Sequence, residues 1–226
     1  MKVIWLGQAG LLFDLDGIKV MIDPYLSNSV ERLEPKNYRS QPIDESFFDI
    51  KPDILVLTHN HLDHTDPETL EKLFSRHTGI CVLASGNAWS IVRKYGGDNN
   101  YVMFNRGTVW TEKGIEFEAV YAEHSDDKAI GVIITYGRKN YYITGDTLYN
   151  KKVMEDIVMP VDTVFLPVNG VGNNMNMTDA AVFAEKIKAK TAVPVHFGMF
   201  DSLNPADFSF KNKAIPEIYK EIVLGD

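Results

Sequence analysis

The stretch Thr58-His59-Asn60-His61-Leu62-Asp63-His64-Thr65-Asp66 limits the fold more than any other. An apolar run, Ile54-Leu55-Val56-Leu57, leads into it, and Pro67 follows it. The run is short, partly β-branched and bounded by Pro52, so it reads as a buried strand. Proline suits the first turn of a helix, and Asp66 suits the cap before it. The histidines and the aspartate therefore lie on a loop joining a strand to a helix. Alternate side chains of an extended segment share a face, which puts His59 and His61 together. Asp63 and His64 come where the chain turns toward the helix. Neutral imidazoles with a carboxylate form a ligand set for zinc, manganese or iron. Three of the chain's six histidines fall in this loop, which is far more specific than a lone histidine.

The 226 residues suffice for one large domain with a substantial core. No linker, repeat or low-complexity stretch divides residues 1–226, which read as a single domain. The 23 basic and 31 acidic residues leave a formal charge of −8. That balance weighs against the basic stripe of a nucleic-acid surface, so no nucleic-acid partner is expected. Cys81, alone of its kind, sits in the apolar run Ile80–Ala84 and reads as a buried, inert thiol. The start, Met1–Gln8, enters strand-like sequence without a signal peptide's apolar core. No run approaches the roughly 20 apolar residues of a membrane span. The expectation is a cytoplasmic protein with no membrane partner; a homo-oligomer is left open.

Strands are expected at Lys2–Trp5, Leu11–Leu15 and Ile18–Ile22, with Asp16-Gly17 as a hairpin signal. Asp23 follows the third strand, equally readable as a turn residue or as a hydrogen-bond partner of a ligand histidine. Residues 25–50 show no period and read as a flap or an interface. Helices are expected at Pro67–Phe74, Asn87–Tyr95, Lys152–Val158 and Thr178–Ala189, the last capped by Thr178. His77, in the last turn of the first of these, reads as a surface residue suited to the helix dipole. Further strands are expected at Ile80–Ala84, Tyr101–Phe104, Thr108–Thr111, Ile115–Tyr121, Ile130–Tyr136, Asn140–Thr144, Thr163–Leu166 and Thr191–Val195. The tail from Pro205 onward reads as one or two helices. Four apolar runs end in a polar group: His59, Asp146, Asn169 and His196. Polar groups collecting beyond strand ends are what a rigid sheet scaffold positions. Two blocks of strands with interspersed helices imply an α/β fold of two sheets packed face to face, helices outside.

The His-x-His-x-Asp-His loop resembles the defining motif of the metallo-β-lactamase superfamily, and Ile22-Asp23-Pro24 before it adds to the likeness. The resemblance implies the four-layer αβ/βα sandwich and a binuclear site. His124, Asp146 and His196 match, in order, the superfamily's third histidine, bridging aspartate and final histidine. It thus assigns His59, His61 and His124 to one metal and Asp63, His64 and His196 to the other, with Asp146 bridging. A narrower likeness, to the L-ascorbate-6-phosphate lactonase branch, rests on Gly145–Tyr149, Asn174–Thr178 and Lys190–His196. That branch is associated with manganese, the superfamily at large with zinc, so two divalent ions, zinc or manganese, are implied. A shared water at such a pair has its pKa lowered from 15.7 toward roughly 7, with Asp63 and Asp146 as the catalytic carboxylates. No serine nucleophile is required, and Ser125 reads as a loop residue. Asn169, Asn173, Asn174, Tyr149 and Arg106 are the candidates for facing substrate, each of the asparagines also suited to turns. The function implied is hydrolysis of a small-molecule ester, lactone or phosphorylated metabolite. The alternatives are a phosphodiesterase or nuclease of the same superfamily and a non-catalytic metal-binding protein.

Overall fold

In a computed structural model that describes Met1–Gly225, the apolar runs become twelve strands in two six-stranded sheets. The first sheet holds β1 (Lys2–Gly7), β2 (Gly10–Leu15), β3 (Ile18–Ile22), β4 (Ile54–Leu57), β5 (Cys81–Ala84) and β6 (Asn100–Met103) in that order. Its first three strands pair antiparallel and the rest parallel. The second holds β7 (Val109–Glu112), β8 (Ile115–Tyr121), β9 (Ile130–Tyr136), β10 (Lys139–Ile143), β11 (Thr163–Pro167) and β12 (Thr191–Val195), again in order. Here β7 to β10 pair antiparallel and β10 to β12 parallel. Within each sheet, strand direction then puts the carboxyl ends of β1, β3 and β4, and of β8, β10, β11 and β12, at one rim.

Strands buried on both faces explain why the parallel ones read as continuous apolar runs. In the first sheet Phe13, Val20, Ile22, Ile54, Val56 and Leu83 turn toward the second sheet. Their neighbours Leu12, Met21, Leu55, Leu57 and Val82 turn the other way, onto helices. Phe13 meets Tyr141 and Phe165 edge-on across the interior, with centroids 6.1 and 5.5 Å apart. After a short α1 (Ser29–Leu33), α2 (Pro67–Arg76) and α3 (Gly86–Val92) cover the first sheet through Leu70, Leu73, Ala88 and Val92. Beyond α4 (Lys151–Glu155), α5 (Met177–Lys186) sets Phe183 against Tyr142 of the second sheet at 6.3 Å. The layers are those of the expected αβ/βα sandwich. Asp66 caps α2 by accepting from the backbone N–H of Glu68 and Thr69.

Several expectations differ from the structure. Asn176, not Thr178, caps α5, accepting from the Asp179 N–H. Helix α4 stops at Glu155 rather than running to Val158. The tail, among its described residues, holds only a 3-10 turn at Pro205–Asp207 and no α-helix. It runs extended instead, bridging Lys213 to Ala192 on β12, then Ile218 to Trp5 and Glu221 to Ile4 on β1. Both partners are edge strands, whose unpaired backbone groups compete with helix formation for the tail. Residues 25–50 hold α1 and a 3-10 turn at Glu45–Asp49. Ser40 N–H donates to the Gly198 carbonyl (2.9 Å) and Arg39 reaches the carbonyls of Leu6 and Tyr25.

Gly145 sits where the backbone has φ +60°, and a Cβ there would stand 2.7 Å from the Ile130 carbonyl. Gly114 shares the positive φ, at +79°, but a Cβ would meet nothing within 4 Å. Gly114→Ala therefore incurs only the left-handed backbone penalty, about 1–2 kcal/mol, a Tm drop of roughly 2–8 °C. Gly145→Ala adds the clash, and thermal melts should place its Tm clearly below that of Gly114→Ala.

Candidate metal centre

Strand ends deliver each polar group to the common rim. Asp23 follows β3, His59–His64 follow β4, His124 follows β8, Asp146 follows β10 and His196 follows β12. Their donor atoms form two main groups, each within 4.8 Å of one another: His59, His61, His124 and Asp146, and Asp63, His64 and His196; a third, Asp23, His59 and His64, overlaps both. Across the first, His124 Nε2 lies 3.1 Å from His61 Nδ1; across the second, His64 Nε2 lies 3.2 Å from His196 Nε2. Asp146 touches both groups. Its carboxylate stands 3.2 Å from His64 Nε2, 3.1 Å from His196 Nε2, 3.8 Å from His124 Nε2 and 3.9 Å from His59 Nε2.

One ring nitrogen of every clustered histidine is held from behind. His59 Nδ1 faces Thr58 Oγ1 at 3.1 Å, and His61 Nε2 faces Ser125 Oγ at 3.3 Å. His64 Nδ1 meets Asp23 at 2.8 Å, and His124 Nδ1 meets the Asn173 carbonyl at 3.2 Å. The Asn169 amide stands 3.0 Å from His196 Nδ1. The other nitrogen of each ring is thereby turned inward. His59 Nε2 is buried with no hydrogen-bond partner at all, a costly state for a polar atom unless something else accepts its lone pair. Inward lone pairs, oriented rings and buried carboxylates are the donor set and support that a divalent ion requires.

Comparison with known proteins follows the same lines. A family model described as a beta-lactamase superfamily domain matches residues 19–197. The chain belongs to the metallo-β-lactamase superfamily. Within it, the chain is similar to a UPF0173 metal-dependent hydrolase of Thermoplasma acidophilum, at 31% identity over 99% of either protein. It is also similar to one of Thermoplasma volcanium, at 30% identity over 94% of this chain and 91% of that protein. The solved structure of Igni18, a metallo hydrolase from Ignicoccus hospitalis, superposes with TM-score 0.79 at 22% identity, covering 97% of this chain and 96% of that one.

As a metallo-β-lactamase fold, the chain carries supports that its sequence did not announce, Gln8 and Asp126, beside Asp23, which takes the histidine-holding role that was one of its two readings. Gln8, 3% exposed, donates its side-chain amide to Asp63 Oδ2 at 3.1 Å, and its backbone carbonyl accepts the His196 backbone N–H at 2.9 Å. A glutamine after a glycine has no signature of its own, and only the fold brings it to His196. Asp23 accepts from the Thr58 N–H at 2.8 Å and the Thr58 hydroxyl at 2.5 Å while holding His64. Asp126 accepts from the Asn60 N–H at 3.0 Å and so braces the loop. The Asn174 amide donates to Asp146 at 2.8 Å. Asn173 reaches the pocket wall, but three other candidates do not. Asn169 turns to His196, Tyr149 packs edge-on against Phe183 at 6.5 Å, and Arg106 forms a two-pronged pair with Asp156 at 2.7 Å. His77 binds the Phe48 carbonyl at 2.8 Å, away from both groups.

A pocket of about 210 Å³ opens over the two clusters, floored by His61, Asp63, Asp146 and His196. Its walls are Ser125, the Val171–Asn174 loop and Phe200. A cavity of about 220 Å³ lies at the opposite rim, by the starts of β1, β10, β11 and β12, and holds none of the clustered histidines.

Burial pushes the imidazolium form of His196 down, but Asp146 and Asp63 outweigh it and raise the pKa to about 9. His64 is raised in the same way by Asp146, Asp63 and Asp23. Burial is unfavourable to the Asp146 and Asp63 carboxylates, and the two imidazoliums nonetheless hold both below their ordinary values. His59 and His124 go the other way, lowered by burial and by like-charged rings. In metal-free protein, His64 and His196 thus neutralise Asp63 and Asp146. A histidine with a raised pKa stabilises the fold fully below its unfolded value of 6.5 and loses that contribution as pH rises through about 9. The carboxylates stabilise above their unfolded value of 3.8 and lose the contribution only in stronger acid. The Tm advantage of metal-free wild type over His196→Gln should be full between about pH 4 and 6.5 and shrink toward pH 9.5. A constant advantage across that range would rule out the ion-paired state.

Proposed function

We propose that His59, His61 and His124 hold one divalent ion and that Asp63, His64 and His196 hold a second, with Asp146 reaching both. The position of Asp146 carries this reading, since one carboxylate contacts histidines of both groups within 3.1–3.9 Å. On it, the chain hydrolyses a small-molecule ester, lactone or phosphorylated metabolite. Zinc suits the imidazole-rich set; manganese suits the two carboxylates. Bound ions supply Lewis acidity and bring water toward a pKa of about 7. The chain's own residues do the positioning. Asp63, fixed by Gln8, and Asp146, fixed by Asn174, keep their carboxylates directed at the pocket floor. Asp23 and Thr58 set the tautomers of His64 and His59, leaving Nε2 of each free to ligate. Resemblance in Gly145–Tyr149 and Lys190–His196 keeps lactones among the substrates. A nuclease is less well supported, given the −8 charge and a pocket with no described Lys or Arg on its walls.

Elemental analysis after reconstitution should find two divalent ions per chain, and a ceiling of one would count against the pairing. His77→Ala should leave that content unchanged. Asp146→Asn keeps size and one oxygen but loses charge. It should weaken one site more than the other and cut hydrolysis by upwards of about 100-fold, beyond the 10–100-fold typical of outer partners. Wild-type metal content and rate in Asp146→Asn would show that Asp146 joins no metals.

A further inference from the structure

The walls of the pocket carry more information about the substrate than its floor does. Phe200 lies nearly parallel to the His196 ring, 16° apart with centroids at 6.1 Å, and forms one apolar wall. Val171, 42% exposed, forms another. Its loop is pinned by the bridge between Asn169 and Asn176 and by the Val171 N–H donating to Asn169 Oδ1 at 3.1 Å. A β-branched apolar side chain is thus held rigidly at the pocket edge with little of its own protein covering it. Asn173 and Ser125 add an amide and a hydroxyl, groups that orient a neutral oxygen. Among the described residues, no Lys or Arg lines the pocket.

Recognition of a phosphate away from the reacting centre calls for the charged fork of Arg or a Lys ammonium. The cations nearby are engaged or elsewhere. Lys128 pairs with Asp127 at 3.4 Å, Arg39 serves the carbonyls behind Gln8, and Lys36 lines a neighbouring groove that shares only Phe200 with this pocket. Three buried carboxylates, Asp23, Asp63 and Asp146, also offset most of the charge that two divalent ions bring. The space, about 210 Å³, is below the usual range for drug-sized ligands.

Resting on the hydrolase reading above, we infer that the substrate is a compact, uncharged ester or lactone whose apolar substituent lies between Val171 and Phe200, and not a phosphorylated metabolite. Water adds to the acyl carbon, the acyl–oxygen bond breaks, and the proton passes to the leaving alkoxide, giving a carboxylic acid and an alcohol.

The test uses metal-reconstituted protein and matched pairs of lactones and aryl esters, each neutral and with a phosphate on the substituent. The neutral member of each pair should show at least about 10-fold higher kcat/KM, the scale of a lost pocket contact. Val171→Ser, on an exposed loop, should raise KM for the neutral member about 10-fold with kcat little changed, the signature of lost uniform binding. Calorimetry with the uncleavable lactam should show the same loss of affinity without any turnover. Val171→Lys should shift preference toward the phosphorylated member. Preference for phosphorylated substrates in wild type, or unchanged KM and lactam affinity in Val171→Ser, would overturn the inference and leave the hydrolase standing. No hydrolysis of any member by protein holding two ions would overturn the hydrolase reading itself, and the inference with it.

Discussion

Eight ionisable side chains packed at one sandwich rim can coexist only if each has a partner. Asp23 shows how that is arranged. Its carboxylate accepts from the Thr58 backbone and hydroxyl and from His64. It is buried to 1% exposure at the end of β3, directly beside β4, which carries the histidine loop. A buried charge without such contacts would cost several kcal/mol. The rest of the centre repeats the device with different atoms: Gln8 for Asp63, Asn174 for Asp146, a carbonyl for His124. The fixed arrangement of the clustered donors is therefore a property of this outer layer of hydrogen bonds.

That layer is held in unfavourable backbone. Gln8, Asp23 and His196 have φ of +51°, +42° and +59°, in the left-handed region that residues with a Cβ avoid. Each costs about 1–2 kcal/mol, and all three flank the pocket floor. Strain of this kind persists where surrounding structure over-determines it. Here the surroundings are the paired strands on either side, with His196 tied to Gln8 through a backbone hydrogen bond between the two sheets. A relaxed backbone at these positions would point the side chains elsewhere.

Much of the fold was legible because the parallel strands are buried on both faces and their sequences say so. Ile54–Leu57 and Thr191–Val195 could be bounded to the residue. The clustering of the histidine loop with His124, Asp146 and His196 was legible from motif and order. Most misread elements depend on a contact outside their own segment. The tail is extended because two edge strands need partners, a fact absent from the tail itself. Thr178 and Asn176 are both competent caps, and Asn176, bridged to Asn169 at the end of the preceding loop, is the one that caps α5. Tyr149 looked like a site residue from its place in Gly145–Tyr149, but its ring finds Phe183 before it finds the pocket.

The contact between Gln8 and His196 joins residues 188 positions apart. A chain emerging from the ribosome presents Gln8, the histidine loop and Asp146 long before His196 exists, and the extended tail that stitches β1 to β12 comes last of all. Domains fold largely as units during synthesis, at about 5–20 residues per second. One half of the centre is thus translated several seconds before the other half can meet it. The histidine-rich rim of the first sheet is made well before His196, so the order of synthesis leaves completion of the site to the last thirty or so of these residues.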